Sequence, residues 1–286
     1  MGIELPSYCI STEIYGATVY APNGKFVRID YEDKEGWVIE RKLFDKYLAT
    51  LASNEGALIK AKSNVVKIKR KDKKVYLSYI DSTGNERVVI TNVVIACDGI
   101  ESKIARELGL NTSLAHIDIA SCIQFEMTNV EIDEKRIELY FGNNIAPGGY
   151  VWIFPKGKRH ANIGIGVRKP FAKKHAIDYL LDFISKNEKL KNGSIIEVNA
   201  GGVPVGGLMK NMVEDNLIVA GDAAHQVNPI HGGGISEAWV AGRIAADVVI
   251  KAFSKNDFRK KILDSYNQLW WGERGKKLEK ILGELE

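Results

Sequence analysis

Apolar residues recur with two different periods along the chain, and each change of period marks a new element. Over 13–31 two β-rich runs flank Pro22-Asn23-Gly24, and Asn-Gly between such runs predicts a hairpin. Leu43, Phe44, Tyr47, Leu48, Leu51 and Ala52 then recur at three- and four-residue spacing. That spacing predicts a helix over 38–56, with Gly56 as its C-terminal stop. Three strands follow between 64 and 96: NVVKIKR, KVYLSYI and ERVVITNVVIA. The last becomes continuously apolar at Val93-Val94-Ile95-Ala96, the pattern of a strand buried on both faces. It ends at Asp98-Gly99, before a short helix, SKIARELGL.

Residues 117–168 carry four alternating or β-rich runs and predict an antiparallel sheet. A helix over about 172–186 and a strand over 195–199 lead to the glycine-rich GGVPVGG at 201–207. Residues 216–220 read as a buried strand, 234–252 as a helix, and 256–286 as a charged helical tail. Together these elements predict a mixed α/β fold in which an inserted β-sheet splits an α/β layer.

Composition narrows the function classes. The 286 residues are 45% hydrophobic and 27% charged, a globular balance that can bury a sizeable core. A net charge of +4 without an arginine-rich stripe gives no support for nucleic-acid binding. Cys9, Cys97 and Cys122 are too few and too far apart for a disulfide framework or a CxxC site. No apolar run is long enough to span a bilayer, and Met1 opens neither a basic nor an apolar leader. A cytoplasmic protein is expected.

Residues 216–243, NLIVAGDAAHQVNPIHGGGISEAWVAGR, carry the strongest chemistry. A buried strand delivers Asp222 at its carboxyl end, the ligand edge of an α/β sheet. Gly232-Gly233-Gly234 then opens a helix whose first N–H groups face outward. Glycines there admit a flat or anionic group close to the backbone. Such a pair suits a polyol hydroxyl together with an electron-rich ring edge, as a flavin presents. The plain alternative is a strand–loop–helix connection with glycines for close packing. Further on, Tyr150, Trp152 and Phe154 alternate along one strand and project to one face. They could wall a hydrocarbon or form an ordinary core face.

At these residues the chain resembles a known family. GDAAHQVNPIHGGGI looks like the second flavin-binding motif of glutathione-reductase-fold flavoproteins of the hydroxylase and geranylgeranyl-reductase type. ITNVVIACDGIESKIAR resembles their Asp-Gly motif, and GWVIERKLFDKYLATLASNEGA their arginine-bearing helix. PGGYVWIFPKGKRHANIGIGV at 147–167 resembles the YxWxFPKG strand of archaeal geranylgeranyl reductases and is the most specific of the four. The resemblance covers most of 36–243 and implies FAD as cofactor. It places Asp222 at the ribityl or pyrophosphate, Gly234 and Ile235 at the isoalloxazine, Arg41 on the cofactor and Val65 at the adenosine half. Asp98 and Gly99 would shape a turn near the pyrophosphate, although Cys97 replaces a smaller residue there. Tyr150, Trp152 and Phe154 would line a tunnel for a prenyl lipid.

The implied activity is reduction of isolated C=C bonds in geranylgeranyl groups of a membrane lipid, with ferredoxin or NAD(P)H as electron donor. The alternatives are a flavin monooxygenase of the aromatic-hydroxylase type and a non-catalytic lipid-binding remnant. The implied division is 1–35 as a substrate-domain hairpin, 36–111 and 209–252 as parts of the FAD-binding domain, 112–208 as the substrate domain, and 253–286 as a C-terminal helical segment. His225 and His231 are proton-donor candidates or, alternatively, loop-organising residues. Lys67 to Lys74 read as a solvated hairpin edge, or else a docking patch. Leu269, Trp270 and Trp271 read as packing residues or as a peripheral membrane contact.

FAD proteins of this fold open with strand, GxGxxG and helix. No GxGxxG stands in this chain: GIGV at 164–167 meets Lys169 at the sixth place, and HGGGIS at 231–236 meets Glu237. Cys9 lacks the glycine that follows the family's active-site cysteine, so that role is not carried to it. The expectation is a chain short of one βαβ unit, about 30 residues or more, that binds FAD weakly or not at all.

Overall fold

The computed structural model describes residues 3–283. Its contacts divide the chain into two compact units: residues 1–59 with 120–202, and residues 60–119 with 203–286. Residues 36–59 thus group with the first unit. The predicted mixed α/β class holds.

In the first unit, β1 (Ile10–Ile14) pairs antiparallel with β4 (Gly36–Ile39), between which lie β2 (Gly16–Tyr20) and β3 (Phe26–Asp30). The β2–β3 hairpin turns at Ala21–Lys25, with Gly24 N–H donating to Ala21 O at 3.0 Å, as Asn23-Gly24 predicts. Helix α1 (Arg41–Asn54) follows, and Gly56 beyond it has φ +93°.

In the second unit, β5 (Asn64–Lys71), β6 (Lys74–Ile80) and β7 (Glu86–Thr91) form an antiparallel sheet. The run ERVVITNVVIA does not continue as one strand. It breaks after Thr91, whose Oγ1 accepts from Val93 N–H, and β8 (Val94–Ala96) belongs to another sheet. There β8 is an edge strand with Ile95 40% exposed, so the expectation of burial on both faces fails. The short helix α2 (Lys103–Glu107) comes next.

The chain then returns to the first unit with β9 (Ile119–Thr128), β10 (Arg136–Phe141), β11 (Tyr150–Pro155) and β12 (His160–Arg168), helix α3 (Ala176–Lys186) and β13 (Ser194–Pro204). The large sheet has seven strands in the order β13-β9-β12-β11-β10-β2-β3. The pairs β9–β12, β12–β11, β11–β10 and β2–β3 are antiparallel, while β10 runs parallel to β2, a long-range pairing that local alternation does not encode. One face is the core: Val151, Ile153, Ile163, Ile165, Phe125 and Met127 are buried there, with Leu180 and Ile184 of α3. On that face Tyr20 stacks on Tyr140, which meets Phe183 edge-on.

The second unit closes with β14 (Val213–Glu214), β15 (Leu217–Val219), helix α4 (Ile235–Ser254) and the short helices α5 (Lys260–Leu263), α6 (Ser265–Trp270) and α7 (Lys276–Gly283). β15 is buried throughout and lies between β14 and β8. The tail is not one helix: residues 271–275 form a π-turn between α6 and α7. Gly275 is needed there, because a Cβ would stand 2.6 Å from the Trp271 ring. Trp270 is fully buried in the core of this unit and Trp271 packs against that core, while Leu269 beside them is exposed. The lysine-rich hairpin of β5 and β6 turns at Asp72-Lys73, and its edge strand β5 is exposed except at Ile68.

Candidate functional site

The parallel pair β8–β15 releases two loops at the same carboxyl edge, in register through Val219 and Ala96. One carries Asp98 and Gly99, the other Asp222. Ser102, fully buried and left-handed at φ +43°, ties them together. Its Oγ donates to Ala223 O at 3.1 Å, and its own carbonyl accepts from Thr112 Oγ1 at 3.2 Å. Asp98 Oδ2 accepts from Ile104 N–H at 2.9 Å and caps α2, while Oδ1 is buried without a hydrogen-bond partner. A buried carboxylate oxygen without a donor is an acceptor awaiting one.

The Asp222 turn is held from beneath by Gln226, which is fully buried. Its Oε1 accepts from Gly221 N–H at 2.7 Å, and its Nε2 donates to Tyr266 Oη at 3.1 Å. His225 is left-handed at φ +56° and buried, with Nε2 3.3 Å from Thr112 O. A carbonyl only accepts, so Nε2 carries the proton. Burial pushes the His225 pKa below its ordinary value and keeps the ring neutral, against the opposing pull of the Thr112 carbonyl. Farther along the loop, His231 Nδ1 accepts from Gly233 N–H at 3.1 Å. Asn228 Oδ1 accepts from the N–H groups of Ile230 and His231. His231 thus bonds within its own loop, whereas His225 ties the loop to Thr112, in the segment after α2.

The loop delivers Gly234 as the N-cap of the 20-residue helix α4, with no side chain capping it. A Cβ on Gly234 would lie 3.1 Å from Asp222 Oδ1 and 3.0 Å from Val227 Cγ1. The Asp222 carboxylate and the start of α4 are thus brought together, as the sequence spacing suggests. Ile235 is 48% exposed beside them. The place offers a carboxylate acceptor, uncapped helix N–H groups and the positive end of a helix dipole, which suit hydroxyls and an electron-rich ring edge. Glu237 in the same first turn is buried and forms an ion pair with Arg274 of the π-turn, with Arg274 Nε donating to Oε2 at 2.8 Å. Local sequence does not single Glu237 out, since α4 also carries Arg243, Asp247 and Lys251.

Arg41, the first residue of α1 in the first unit, forms an exposed pair with Asp45 at 3.2 Å. Val65, in the second unit, is 37% exposed at a register shift in β5.

The other set of residues lies on the large sheet. Val151 and Ile153 of β11 point into the core, so Tyr150, Trp152 and Phe154 occupy the opposite, half-buried face. Their rings run in series, 5.9 Å and 6.2 Å between centroids, and Phe141 joins Tyr150 at 5.5 Å. Trp152 lies flat on the neighbouring strand. Its partner across the ladder is Gly164, where a Cβ would stand 2.2 Å from Cζ2. Its Nε1 donates to Gln124 Oε1 at 3.0 Å, one strand farther on. Gly166, opposite Tyr150, lies beside Cys122, whose thiol burial pushes up to about 11. Alternate glycines facing alternate aromatics were legible in HANIGIGV as places of close approach.

At the far end of this face stands a charge cluster. Lys156 continues the alternation of β11, and its side chain is 5% exposed. Its Nζ contacts Glu40 at 2.5 Å and Glu126 at 2.8 Å, and Glu126 also meets His160 Nε2 at 2.8 Å. Burial works against the Lys156 charge, but hydrogen bonds to Glu126 and Glu40 outweigh it and raise the pKa.

Residues 118–203 match the model of the geranylgeranyl reductase catalytic domain. That span contains Gln124, Glu126, Tyr150, Trp152, Phe154, Lys156 and Gly164. A digeranylgeranylglycerophospholipid reductase of Methanocaldococcus jannaschii is 44% identical over 261 residues, 90% of this chain and 66% of the relative. A geranylgeranyl bacteriochlorophyll reductase-like crystal structure from Thermoplasma acidophilum is 35% identical, with a TM-score of 0.91 over 96% of this chain and 71% of that one. The chain belongs to the geranylgeranyl reductase family. It spans 66% to 72% of the length of five reductases of this name, at 39% to 44% identity. A myxobacterial FAD-dependent halogenase, CndH, shares the fold alone, at 14% identity and a TM-score of 0.75. Among the described residues no helix is long and apolar enough to cross a membrane.

Proposed function

We propose that this family member takes part in the flavin-dependent reduction of isolated C=C bonds in geranylgeranyl groups of an archaeal-type phospholipid. The carrying observation is the aromatic face of Tyr150, Trp152 and Phe154, flattened by Gly164 and lying within the matched catalytic domain. A prenyl chain has no hydrogen-bonding group, so only apolar walls can select it. Trp152, pinned through Gln124, presents its ring as a floor and excludes water from the alkene. The name shared by the relatives points to the same substrate class.

Bound reduced flavin would supply the hydride. Asp222 and the uncapped start of α4 at Gly234 and Ile235 are the residues to hold its polyol and ring edge, and Asp98 Oδ1 is a further acceptor near that edge of the sheet. Arg41 and Val65 are assigned to the cofactor and Tyr150, Trp152 and Phe154 to the substrate on family resemblance. With His225 and His231 engaged by Thr112 and Gly233, the accompanying proton is assigned to solvent. The electron donor is a low-potential protein such as ferredoxin, or NAD(P)H.

The test is incubation of the chain with digeranylgeranylglycerophospholipid, excess FAD and dithionite, followed by mass spectrometry of the lipid. The expected result is a gain of two hydrogens per reduced double bond. Unchanged lipid with FAD demonstrably bound overturns the assignment.

A further inference from the structure

We propose that the Lys156–Glu126–Glu40–His160 cluster is the closed end of the hydrocarbon face and sets the longest prenyl chain the protein accepts. This rests on the proposed prenyl substrate. Tyr150, Trp152, Phe154 and Lys156 follow one another at alternate positions of one strand. At the usual rise they span about 20 Å, the scale of an extended geranylgeranyl chain. The first three are aromatic and the fourth is a buried ammonium bound by two carboxylates.

An apolar chain advancing past Phe154 would have to displace or strip these charge-assisted hydrogen bonds and gain nothing in return. The cluster also decides which end of a lipid lies there. Two ammonium groups, Lys156 and the neighbouring Lys42, face three carboxylates, Glu40, Glu126 and Glu197, so the site has no surplus positive charge for a phosphate. An anionic headgroup is repelled, and the free hydrocarbon terminus is what meets Lys156. Asn162 supports the same polarity: it pairs with Phe154 on one side and Glu126 on the other, at the boundary between the aromatic row and the charges. Lys156 is here a specificity-determining residue, with no part in the chemistry.

The experiment measures binding of geraniol, farnesol, geranylgeraniol and geranylfarnesol to the full chain with FAD in excess, by quenching of tryptophan fluorescence. Affinity is expected to rise through geranylgeraniol and to fall about tenfold for geranylfarnesol. In the double variant Lys156→Met/Glu126→Gln that fall is expected to shrink to about threefold or less. Should that variant not fold, Phe154→Trp shortens the lane and is expected to move the break one isoprene unit earlier. Tyr150→Trp, at the other end, is expected to weaken all four alcohols alike. A length series without a break, a break that neither variant moves, or no binding of any alcohol overturns the end stop. A break that moves as expected, in a protein that reduces no geranylgeranyl lipid, sustains the end stop and refutes the proposed reaction.

Discussion

The indole of Trp152 occupies the space that a side chain at residue 164 would need, with Cζ2 2.2 Å from the ideal Cβ position of Gly164. The aromatic floor of the large sheet therefore depends on a missing side chain as much as on a present one. Gly164→Ala is expected to lift the ring, at a cost of about 1–3 kcal/mol for overpacking. Far-UV circular dichroism should be kept while binding of geranylgeraniol falls by about tenfold or more. Unchanged binding would show that the ring position is immaterial.

Gln124 holds the same ring from the other side. Gln124→Leu leaves Trp152 Nε1 without its 3.0 Å acceptor in a half-buried place. A loss of about 1–3 kcal/mol is expected, and Trp152→Phe should cancel part of it, since Phe has no donor to strand. Chemical denaturation of the two single variants and the double variant measures the coupling. Strictly additive losses would mean that the hydrogen bond does no positioning.

His225 makes the stability depend on acid. Burial lowers its pKa in the folded chain below the 6.5 of a free histidine. The unfolded chain therefore takes up the proton first as pH falls, and the folded state loses stability from about pH 6.5 downward, until the folded pKa is passed. His225→Asn tolerates the left-handed backbone at φ +56° and has no ring to titrate. Its melting temperature is expected to be lower at pH 7.5 but to drop less on going to pH 5, and an equal drop would remove His225 as the cause.

The Glu237–Arg274 pair anchors the tail to the first turn of α4. The Glu237 side chain is 4% exposed and that of Arg274 32%. Arg274→Met strands a buried carboxylate and is expected to cost about 3 kcal/mol, or about 5–10 °C in melting temperature. Arg274→Met/Glu237→Gln should recover most of that loss. Calorimetry decides, and a double variant no better than the single one would contradict the ion-pair account.

Much was legible in the sequence because it is local. Period-two alternation located β9 to β12, Asn23-Gly24 the first hairpin, and the three- and four-residue spacing of α1 its helix. The strand–Asp–glycine–helix spacing of 216–243 fixed Asp222 and Gly234 as neighbours, since both hang from β15 and α4. Short motifs of this kind carry their own geometry, which is why the family resemblance was already visible in them.

The tertiary structure decided what depends on partners distant along the chain. Thr91 and Val93 break one apolar run into strands of two sheets, and only the pairing of β8 with β15 shows that Ile95 faces outward. The parallel β2–β10 pair joins residues more than a hundred positions apart, which no window of sequence spans. Nothing in the order of residues shows that Trp152 rests on Gly164 and is tied to Gln124, that Lys156 is buried between Glu40 and Glu126, or that Trp270 is a core residue. Alternation sets which residues share a face; register and burial choose which of them meet, and with them where a hydrocarbon could lie and where it must stop.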